Sequence, residues 1–247
     1  MSASRRAARP GESAVRRVVT TRDGGVSAPP YDSFNLGDHV GDDPEAVAAN
    51  RARLAAHLKL PSERVVWMEQ IHSPTVTVVD GPSDGPVPAT DGLITSASNL
   101  ALAVLTADCV PVLLSDDEAG VIAAVHAGRV GARNGIVPEA LRVMAGLGAK
   151  PQRISALLGP AASGHFYEVP PEMARDVEEH LPGSLCRTEA GTVGLDLRAG
   201  IARQLAGAGV TSIAVDPRCT IADEKLFSHR RSAPTGRLAS VIWREDA

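Results

Sequence analysis

The sequence predicts an α+β domain over residues 14–247, in which a mixed β-sheet is flanked by helices. Three observations support this fold class. The 247 residues are enough for one substantial core. Some predicted strands are neighbours in sequence and others are separated by helices, which favours an α+β or irregular α/β arrangement over a regular doubly wound one. The chain shows no internal repeat, so we expect one compact unit.

The individual elements follow from local signals. Residues 1–13, rich in Ser, Ala, Arg, Pro and Gly, predict a mobile tail. Turn-forming residues over 21–37 are typical of a functional loop. Asp43 as N-cap and Pro44 at the first helical position predict a helix to about Leu58. Hydrophobic patterns predict strands at 15–20, 65–70, 75–79, 91–95, 100–106, 110–114, 121–125, 154–158, 211–215 and 238–243, and helices at 135–145, 171–180 and 197–208, the last capped by Asp196.

Composition excludes several classes of protein. A net charge of -4 and only two Trp, two Tyr and three Phe argue against nucleic acid as a partner, which requires basic tracks or stacking faces. No apolar stretch approaches the ~20 residues of a membrane helix, and the N-terminus does not resemble a secretion signal. We therefore expect a cytoplasmic protein without a membrane partner. Three cysteines without a C-x-x-C pair predict at least one free thiol.

The most informative stretch is residues 100–131. Its apolar runs have the length and β-branched content of buried strands. Asp108 and Cys109 interrupt these runs, and His126 ends the last of them just before the glycine-bearing turn 128–131. Buried strands seldom carry ionisable groups without a reason. A thiol and an imidazole at strand ends, beside glycines that let a ligand approach the backbone, therefore predict a functional site.

His72, in a break between two predicted strands, leads to three interpretations of this site. With Cys109 and His126 it offers two imidazoles and a thiolate, which suit zinc with an open fourth position. Without a metal, Cys109 would be a nucleophile and His126 its base, with Asp108 or another polar group orienting the imidazole. In the third interpretation the cysteine and both histidines are structural. Residue spacing alone leaves all three open.

Several arginines are candidates for binding an anion, because a planar guanidinium matches phosphate and carboxylate. They are Arg22, Arg51, Arg129, the segment His229-Arg230-Arg231, and Arg237 after Gly236. Neither G-x-x-x-x-G-K-[ST] nor G-x-G-x-x-G occurs in the chain. This disfavours a nucleotide-dependent kinase or dehydrogenase.

Nine short motifs occur between residues 20 and 237. They are TTRDGGVS (20–27), NLGDHVGDD (35–43), ANR (49–51), QIHS (70–73), TADCVPVLL (106–114), HAGRVG (126–131), GPA (159–161), YEV (167–169) and FSHRRSAPTGR (227–237). Through these motifs the chain is similar, from Thr20 to Trp243, to the YfiH/YlmD family. That family has long been labelled laccase-domain or polyphenol oxidase proteins and is related to the FAMIN-type purine nucleoside phosphorylases.

The resemblance implies a fold, an activity and a site. The fold would be a single α+β catalytic domain akin to the cysteine-dependent deamidase domain of cytotoxic necrotizing factors. The activity would be phosphorolysis of adenosine, inosine and S-methyl-5′-thioadenosine to free base and ribose 1-phosphate, together with adenosine deamination. His72, Cys109 and His126 fall on the family's metal-binding and catalytic residues. We expect Zn²⁺ there, although copper fits the same donors, with Asp108 orienting a ligand or carrying a proton.

The implied substrates are a purine nucleoside and phosphate, and the expected contacts come from Arg22, Asn35, Arg51, Arg129 and Arg237. One motif departs from the family. Where the family commonly has H-A-G-W-R-G, this chain has HAGRVG, so the aromatic residue is absent and the arginine comes one position early. Either Arg129 takes over an anion contact, or base stacking and phosphate binding are altered.

Physical chemistry separates the labels attached to the family. A multicopper laccase needs about ten histidines, largely in H-x-H pairs, whereas this chain has seven and no such pair. Zinc cytidine-type deaminases carry H-x-E and P-C-x-x-C, which are also absent. Two other functions remain open: a cysteine-dependent hydrolase that edits peptidoglycan precursors, and a non-catalytic metal-binding protein. We expect a monomer or a small homo-oligomer.

Overall fold

The structure, a computed structural model, describes residues 15–246. The predicted tail at 1–13 lies outside the described residues. The described strands are β1 (Val15–Val19), β2 (Val65–Val66), β3 (Val76–Val78), β4 (Gly92–Thr95), β5 (Ala101–Thr106), β6 (Val110–Asp116), β7 (Val121–Ala127), β8 (Ser155–Leu158), β9 (Leu185–Arg187), β10 (Val193–Leu195), β11 (Ser212–Val215) and β12 (Leu238–Arg244). The described helices are α1 (Pro44–Leu58), α2 (Arg129–Arg133), α3 (Ile136–Gly146), α4 (Pro171–His180) and α5 (Leu197–Gly207).

Two sheets of different topology organise the fold. The four-stranded sheet has the order β1-β12-β5-β2, in which the β2–β5 pair is parallel. The six-stranded sheet has the order β11-β8-β6-β7-β4-β3, with parallel pairs at both edges and antiparallel pairs between them. β9 and β10 form a separate hairpin. The predicted α+β class with mixed sheet structure is confirmed, with the strands divided between two main sheets.

The two sheets pack face to face and are covered by helices on their outer faces. Leu102 and Val104 of β5 share one buried cluster with Leu113 of β6 and Ile122 of β7. The other face of β5 belongs to a cluster with α1, and the other faces of β6 and β7 belong to a cluster with α3, α4 and α5. Since β5, β6 and β7 are buried on both faces, their sequences are continuous apolar runs instead of alternating ones.

Local signals predicted the helix starts correctly. The Asp43 carboxylate accepts a hydrogen bond from the Glu45 amide at the start of α1. The Asp196 carboxylate accepts one from the Ala199 amide at the start of α5. These caps are contacts between residues two or three apart, so the sequence alone reveals them. No helix over residues 15–246 is both long and apolar enough to cross a membrane.

Tertiary pairing changed several predicted elements. The strand predicted at 65–70 ends at Val66, because backbone hydrogen bonds join Trp67 and Glu69 to Val87 instead. The glycine-bearing turn predicted at 128–131 is the start of α2, with Gly128 at its N-cap. The hairpin of β9 and β10 was not predicted, because three-residue strands provide too little periodicity.

Candidate active site

Strand ends and loops at one end of the two sheets deliver the three central side chains. Cys109 lies in the short connection between β5 and β6, where the chain passes from the four-stranded to the six-stranded sheet. His126 is the penultimate residue of β7 and pairs in register with Pro111 of β6. His72 comes from the loop between β2 and β3. The sheet topology therefore brings together three residues that are separated by tens of positions in sequence.

The three side chains form a compact cluster. Their ligand atoms all lie within 4.8 Å of one another, and the Cys109 Sγ lies 3.8 Å from Nε2 of His72. The two imidazole rings meet edge to face, with centroids 4.7 Å apart. A Cβ atom at Gly128 would lie 2.7 Å from Cδ2 of His72 and 3.0 Å from Sγ of Cys109. Residue 128 therefore has to be glycine for the cluster to close in this geometry.

Asp91, which the sequence analysis did not identify as a site residue, fixes the positions of both histidines. Its buried carboxylate accepts a hydrogen bond from Nδ1 of His126 at 2.8 Å. The same carboxylate accepts the backbone amides of Ile71, His72 and Ser73 and the Ser73 hydroxyl. These bonds hold the backbone of His72 in the left-handed region, at φ 61°. Residues other than glycine rarely adopt this conformation. The one feature of the sequence that could have identified Asp91 is its position directly before the buried strand β4.

Asp108 has a different environment from the one expected. Its two carboxylate oxygens accept hydrogen bonds from the Thr220 hydroxyl at 2.6 Å and the Arg230 amide at 2.7 Å. Asp108 therefore ties the chain segment around residues 220–230 to the connection that carries Cys109. The carboxylate that orients His126 is that of Asp91, not that of Asp108.

The cluster changes the ionisation of its own members. Burial alone raises the pKa of the Cys109 thiol, but the adjacent imidazoles of His126 and His72 outweigh burial and lower this pKa to about 6. Burial alone lowers the pKa of His126, whereas the Cys109 sulfur and the Asp91 carboxylate raise it to about 9. Without a metal, the favoured state near neutral pH is a thiolate beside an imidazolium.

A pocket of about 440 Å³ opens onto the cluster. Its lining includes six of the residues identified from the sequence, namely His72, Asp108, Cys109, His126, Arg129 and Arg237. It also includes polar residues that had no assigned role or were only part of a basic segment, namely His39, Gln70, Tyr167, His229 and Arg230. Both ends of the Gln70 side-chain amide are bonded to the Leu105 backbone, since its nitrogen donates to the carbonyl oxygen and its oxygen accepts from the amide.

Three predicted phosphate or nucleoside contacts are used inside the protein instead. Arg22 pairs with Asp32 and lies over the Phe227 ring. Arg51 lies over the Trp67 ring and donates to a backbone carbonyl. The fully buried Asn35 bonds to backbone groups of its own loop and of residue 237. Arg22, Asn35 and Arg51 are not among the described residues that line the pocket. We therefore do not include them in the proposed substrate site.

The donor set fits a zinc ion. Typical zinc–sulfur and zinc–nitrogen bond lengths in a tetrahedral site place the two ligand atoms about 3.5 Å apart, close to the observed 3.8 Å between Cys109 and His72. Asp91 on the far nitrogen of His126 is the carboxylate support that metal-bound histidines usually have. Over residues 15–246 this is the one group of three or more potential ligands close enough to share an ion. A four-copper oxidase centre is therefore not present in the described part of the chain.

Comparisons with known proteins agree with this architecture. A Mycobacterium tuberculosis protein named purine nucleoside phosphorylase is 65% identical over 231 residues, covering 94% of this chain and 92% of that protein. The crystal structure of YlmD from Geobacillus stearothermophilus superposes with a TM-score of 0.90 at 33% identity, covering 100% of this chain and 98% of that one. The crystal structure of Bacillus licheniformis YfiH gives a TM-score of 0.86 at 32% identity, covering 93% and 92%.

A family model also matches nearly the whole chain. It covers residues 16–245 and is described as "Multi-copper polyphenol oxidoreductase laccase". The single His-Cys-His cluster does not support the chemistry in that description, whereas the relatives named as phosphorylases support an enzyme of another kind. From the matched sequence and the two superposed structures, the chain belongs to this laccase-like family, the YfiH family.

Proposed function

We propose that the protein is a purine nucleoside phosphorylase that acts on adenosine, inosine and S-methyl-5′-thioadenosine with phosphate. The observation that carries this proposal is a pocket that joins the His-Cys-His cluster to the guanidinium groups of Arg129, Arg230 and Arg237. Among the described residues that line it, Asp108 is the single carboxylate, and both of its oxygens are already bonded. The pocket therefore has an excess of positive charge, which favours an anionic co-substrate.

Arg237 is the strongest candidate for holding phosphate. Its side chain packs against Gly37, and one nitrogen donates to the carbonyl oxygens of Thr235 and Gly236. Burial lowers the pKa of Arg237, although a guanidinium stays charged near neutral pH. Arg129 adds a second cation to the pocket lining, and its guanidinium, after that of Arg133, also contributes to lowering the pKa of the Asp176 carboxyl. Two guanidiniums next to the cluster would stabilise phosphate as it approaches the ribosyl carbon.

The residues of the cluster would bind and orient the nucleoside. His72, Cys109 and His126 would hold Zn²⁺, which would supply Lewis-acid polarisation. Asp91 would keep His126 in a single tautomer and keep the His72 backbone in place, so that both rings hold their geometry during turnover. We propose adenosine deamination as a second activity, for which the same three residues would hold the metal.

We further propose that residues 14–247 act as one catalytic domain. The buried cluster between the two sheets contains residues from β2, β4, β5, β6, β7 and β12. Elements from most of the described chain thus share one core, and the pocket residues range from 39 to 237. A cut between the sheets would expose that core, so we expect neither sheet to fold alone.

The test is the release of hypoxanthine from inosine in the presence of phosphate. Wild-type protein with measured zinc content should release it, and Cys109→Ala should not. Cys186→Ala is the matched control, because Cys186 is also a free cysteine but lies beside Gly164, among described residues that do not line the pocket. Equal turnover by Cys109→Ala and wild type would rule out this site. Zinc-dependent stability without any turnover would favour a non-catalytic metal-binding protein.

A second candidate function is a cysteine-dependent hydrolase that acts on peptidoglycan precursors. The Cys109 sulfur lies beside two imidazoles, and His126 is oriented by Asp91. This is the arrangement of a thiol nucleophile with a positioned base. Hydrolysis of such a precursor by chelator-treated, metal-free protein, and its loss in Cys109→Ala, would support this candidate over the phosphorylase.

A further inference from the structure

When His72, Cys109 and His126 hold a metal as proposed above, the cluster has no free imidazole to protonate the departing base in the phosphorolysis of a purine nucleoside. When the C1′–N9 bond breaks, its electron pair passes into the purine ring, and the base leaves more easily if N7 is protonated. A positioned side chain that donates this proton accelerates such a step by about 10²–10⁴-fold. This inference rests on the phosphorylase function proposed above, and it asks which pocket residue donates.

Apart from the three arginines, which stay charged, four titratable side chains line the pocket outside the cluster: His39, Asp108, Tyr167 and His229. Asp108 is excluded because both of its oxygens already accept hydrogen bonds. The Tyr167 ring faces the guanidinium of Arg230. His229 is exposed, and no hydrogen bond or ion pair from the described residues orients its ring. His39 alone among the four has an anchored carboxylate partner.

That partner is Asp38, and it is held in turn by an arginine. Nδ1 of His39 lies 3.5 Å from Oδ1 of Asp38. Nη2 of Arg51 lies 3.2 Å from the same oxygen, as an ion pair without the alignment of a hydrogen bond. The Arg51 guanidinium lies over the Trp67 ring, 4.3 Å from its centroid, and Nε donates to the Leu36 carbonyl. Arg51 therefore holds the Asp38 carboxylate on one side, and the same carboxylate oxygen lies close to Nδ1 of the pocket-lining His39.

The loop that carries His39 is anchored on both sides. Before it, the Asn35 side chain accepts from the Gly37 amide and donates to the Gly37 carbonyl. After it, the Asn35 amide also donates to the Asp42 carboxylate, and the Tyr31 hydroxyl donates to the Val40 carbonyl. The exposed imidazole thus stands on a rigid support, although the loop is on the surface.

Gly37 also sets the distance between this loop and the phosphate site. A Cβ atom at Gly37 would lie 2.7 Å from Cγ of Arg237, so the loop backbone touches the arginine side chain. His39 follows two residues later, and both His39 and Arg237 line the pocket. A donor to the leaving base and a ligand for the incoming phosphate are both needed around the ribosyl carbon.

We propose that His39, held by the pair Asp38 and Arg51, is the general acid that protonates N7 of the departing purine. Its imidazolium transfers the Nε2 proton to N7 as the C1′–N9 bond breaks and a phosphate oxygen bonds to C1′. The neutral imidazole is then reprotonated from solvent or from the next H₂PO₄⁻. Arg51 and Asp38 are positioning residues in this scheme.

The test compares inosine with 7-methylinosine. In the methylated nucleoside N7 already carries a substituent and the positive charge, so the base leaves without accepting a proton. His39→Ala should lower kcat/KM for inosine by about 10²–10⁴-fold and leave kcat/KM for 7-methylinosine close to that of wild type. Asp38→Asn should show the same selectivity with a smaller loss. His229→Ala, the matched control from the same pocket, should change both substrates by the same factor.

A second measurement does not depend on the methylated substrate. Added imidazole should restore inosine turnover to His39→Gly and not to His229→Gly. Equal losses for both nucleosides in His39→Ala, or no rescue by imidazole, would overturn the assignment of His39. Absence of inosine turnover by the wild-type protein would instead contradict the phosphorylase function itself, and the assignment with it.

Discussion

The pocket has a floor held by a buried carboxylate and a rim of side chains at the protein surface, and the two are stabilised differently. The floor consists of His72, Cys109 and His126 with the buried carboxylate of Asp91, which accepts five hydrogen bonds. The rim consists of exposed or half-buried residues such as His39 and Arg129. His39 is supported by a surface ion pair with Asp38 and by hydrogen bonds within its loop, whereas Arg129 is the first residue of α2. In the floor, geometry and stability depend on the same contacts. In the rim, the contacts that position side chains contribute little to the free energy of unfolding.

Replacing Asp91 gives the largest expected effect. In Asp91→Ala three backbone amides, a hydroxyl and the His126 imidazole lose a buried acceptor. Removing one partner from a buried charge pair costs about 3–5 kcal/mol of unfolding free energy. Urea denaturation of the metal-free protein measures this. Asp84→Ala, at an exposed loop carboxylate, is the control, and equal stability of the two variants would contradict the role given to Asp91.

Gly128→Ala should disturb the geometry of the floor and lower turnover. The new methyl group would displace His72, whose Cδ2 lies 2.7 Å from the position of that Cβ. A misplacement of about 1 Å costs on the order of 10²-fold in rate. Steady-state turnover of inosine measures the loss. Gly146→Ala, where the space around an added Cβ is open among the described residues, should keep wild-type activity, and equal activities would show that His72 tolerates the displacement.

Removing the charge of Arg237 tests whether this residue binds phosphate. Arg237→Met keeps the side-chain packing against Gly37 and removes the guanidinium. A charged hydrogen bond contributes about 1.5–3 kcal/mol, so KM for phosphate should rise by about 10–100-fold. Phosphate titrations at saturating inosine measure this rise. Arg142→Ala, which removes an exposed ion pair with Glu139 on α3, should leave KM for phosphate unchanged; a rise in both variants would argue against a specific phosphate site.

The smallest expected effect lies in the rim. His39 lowers the pKa of Asp38 to about 2, with burial opposing and Arg51 assisting this shift. Because this pKa is lower in the folded state, the stabilisation is present above the unfolded pKa of about 4 and is lost as pH falls toward 2. Asp38 is half exposed, so Asp38→Asn should cost less than about 1 kcal/mol at pH 7. Urea midpoints at pH 7 and pH 3 check both statements, and a loss of several kcal/mol would remove the distinction between rim and floor.

The same contrast explains what the sequence could predict. Helix α1 was predictable because Asp43 and Pro44 act within one turn, and β5 to β7 because both of their faces are buried. The residues His72, Cys109 and His126 carry recognisable chemistry at strand ends. Asp91 and His39 could not be singled out from the sequence, because the roles described above depend on contacts with segments that are distant in sequence. For the same reason Arg22 and Arg51 were predicted from their residue type to bind phosphate. In the structure Arg22 pairs with Asp32 and Arg51 lies over the Trp67 ring.

The central claim is that this pocket transfers a ribosyl group to phosphate, and ³¹P NMR of a reaction with inosine tests it most directly. Zinc-containing wild-type protein should produce ribose 1-phosphate in equal amounts with hypoxanthine, and Cys109→Ala should produce neither. Hypoxanthine without ribose 1-phosphate would mean that water is the acceptor. That result, or equal products from Cys109→Ala, would contradict the account.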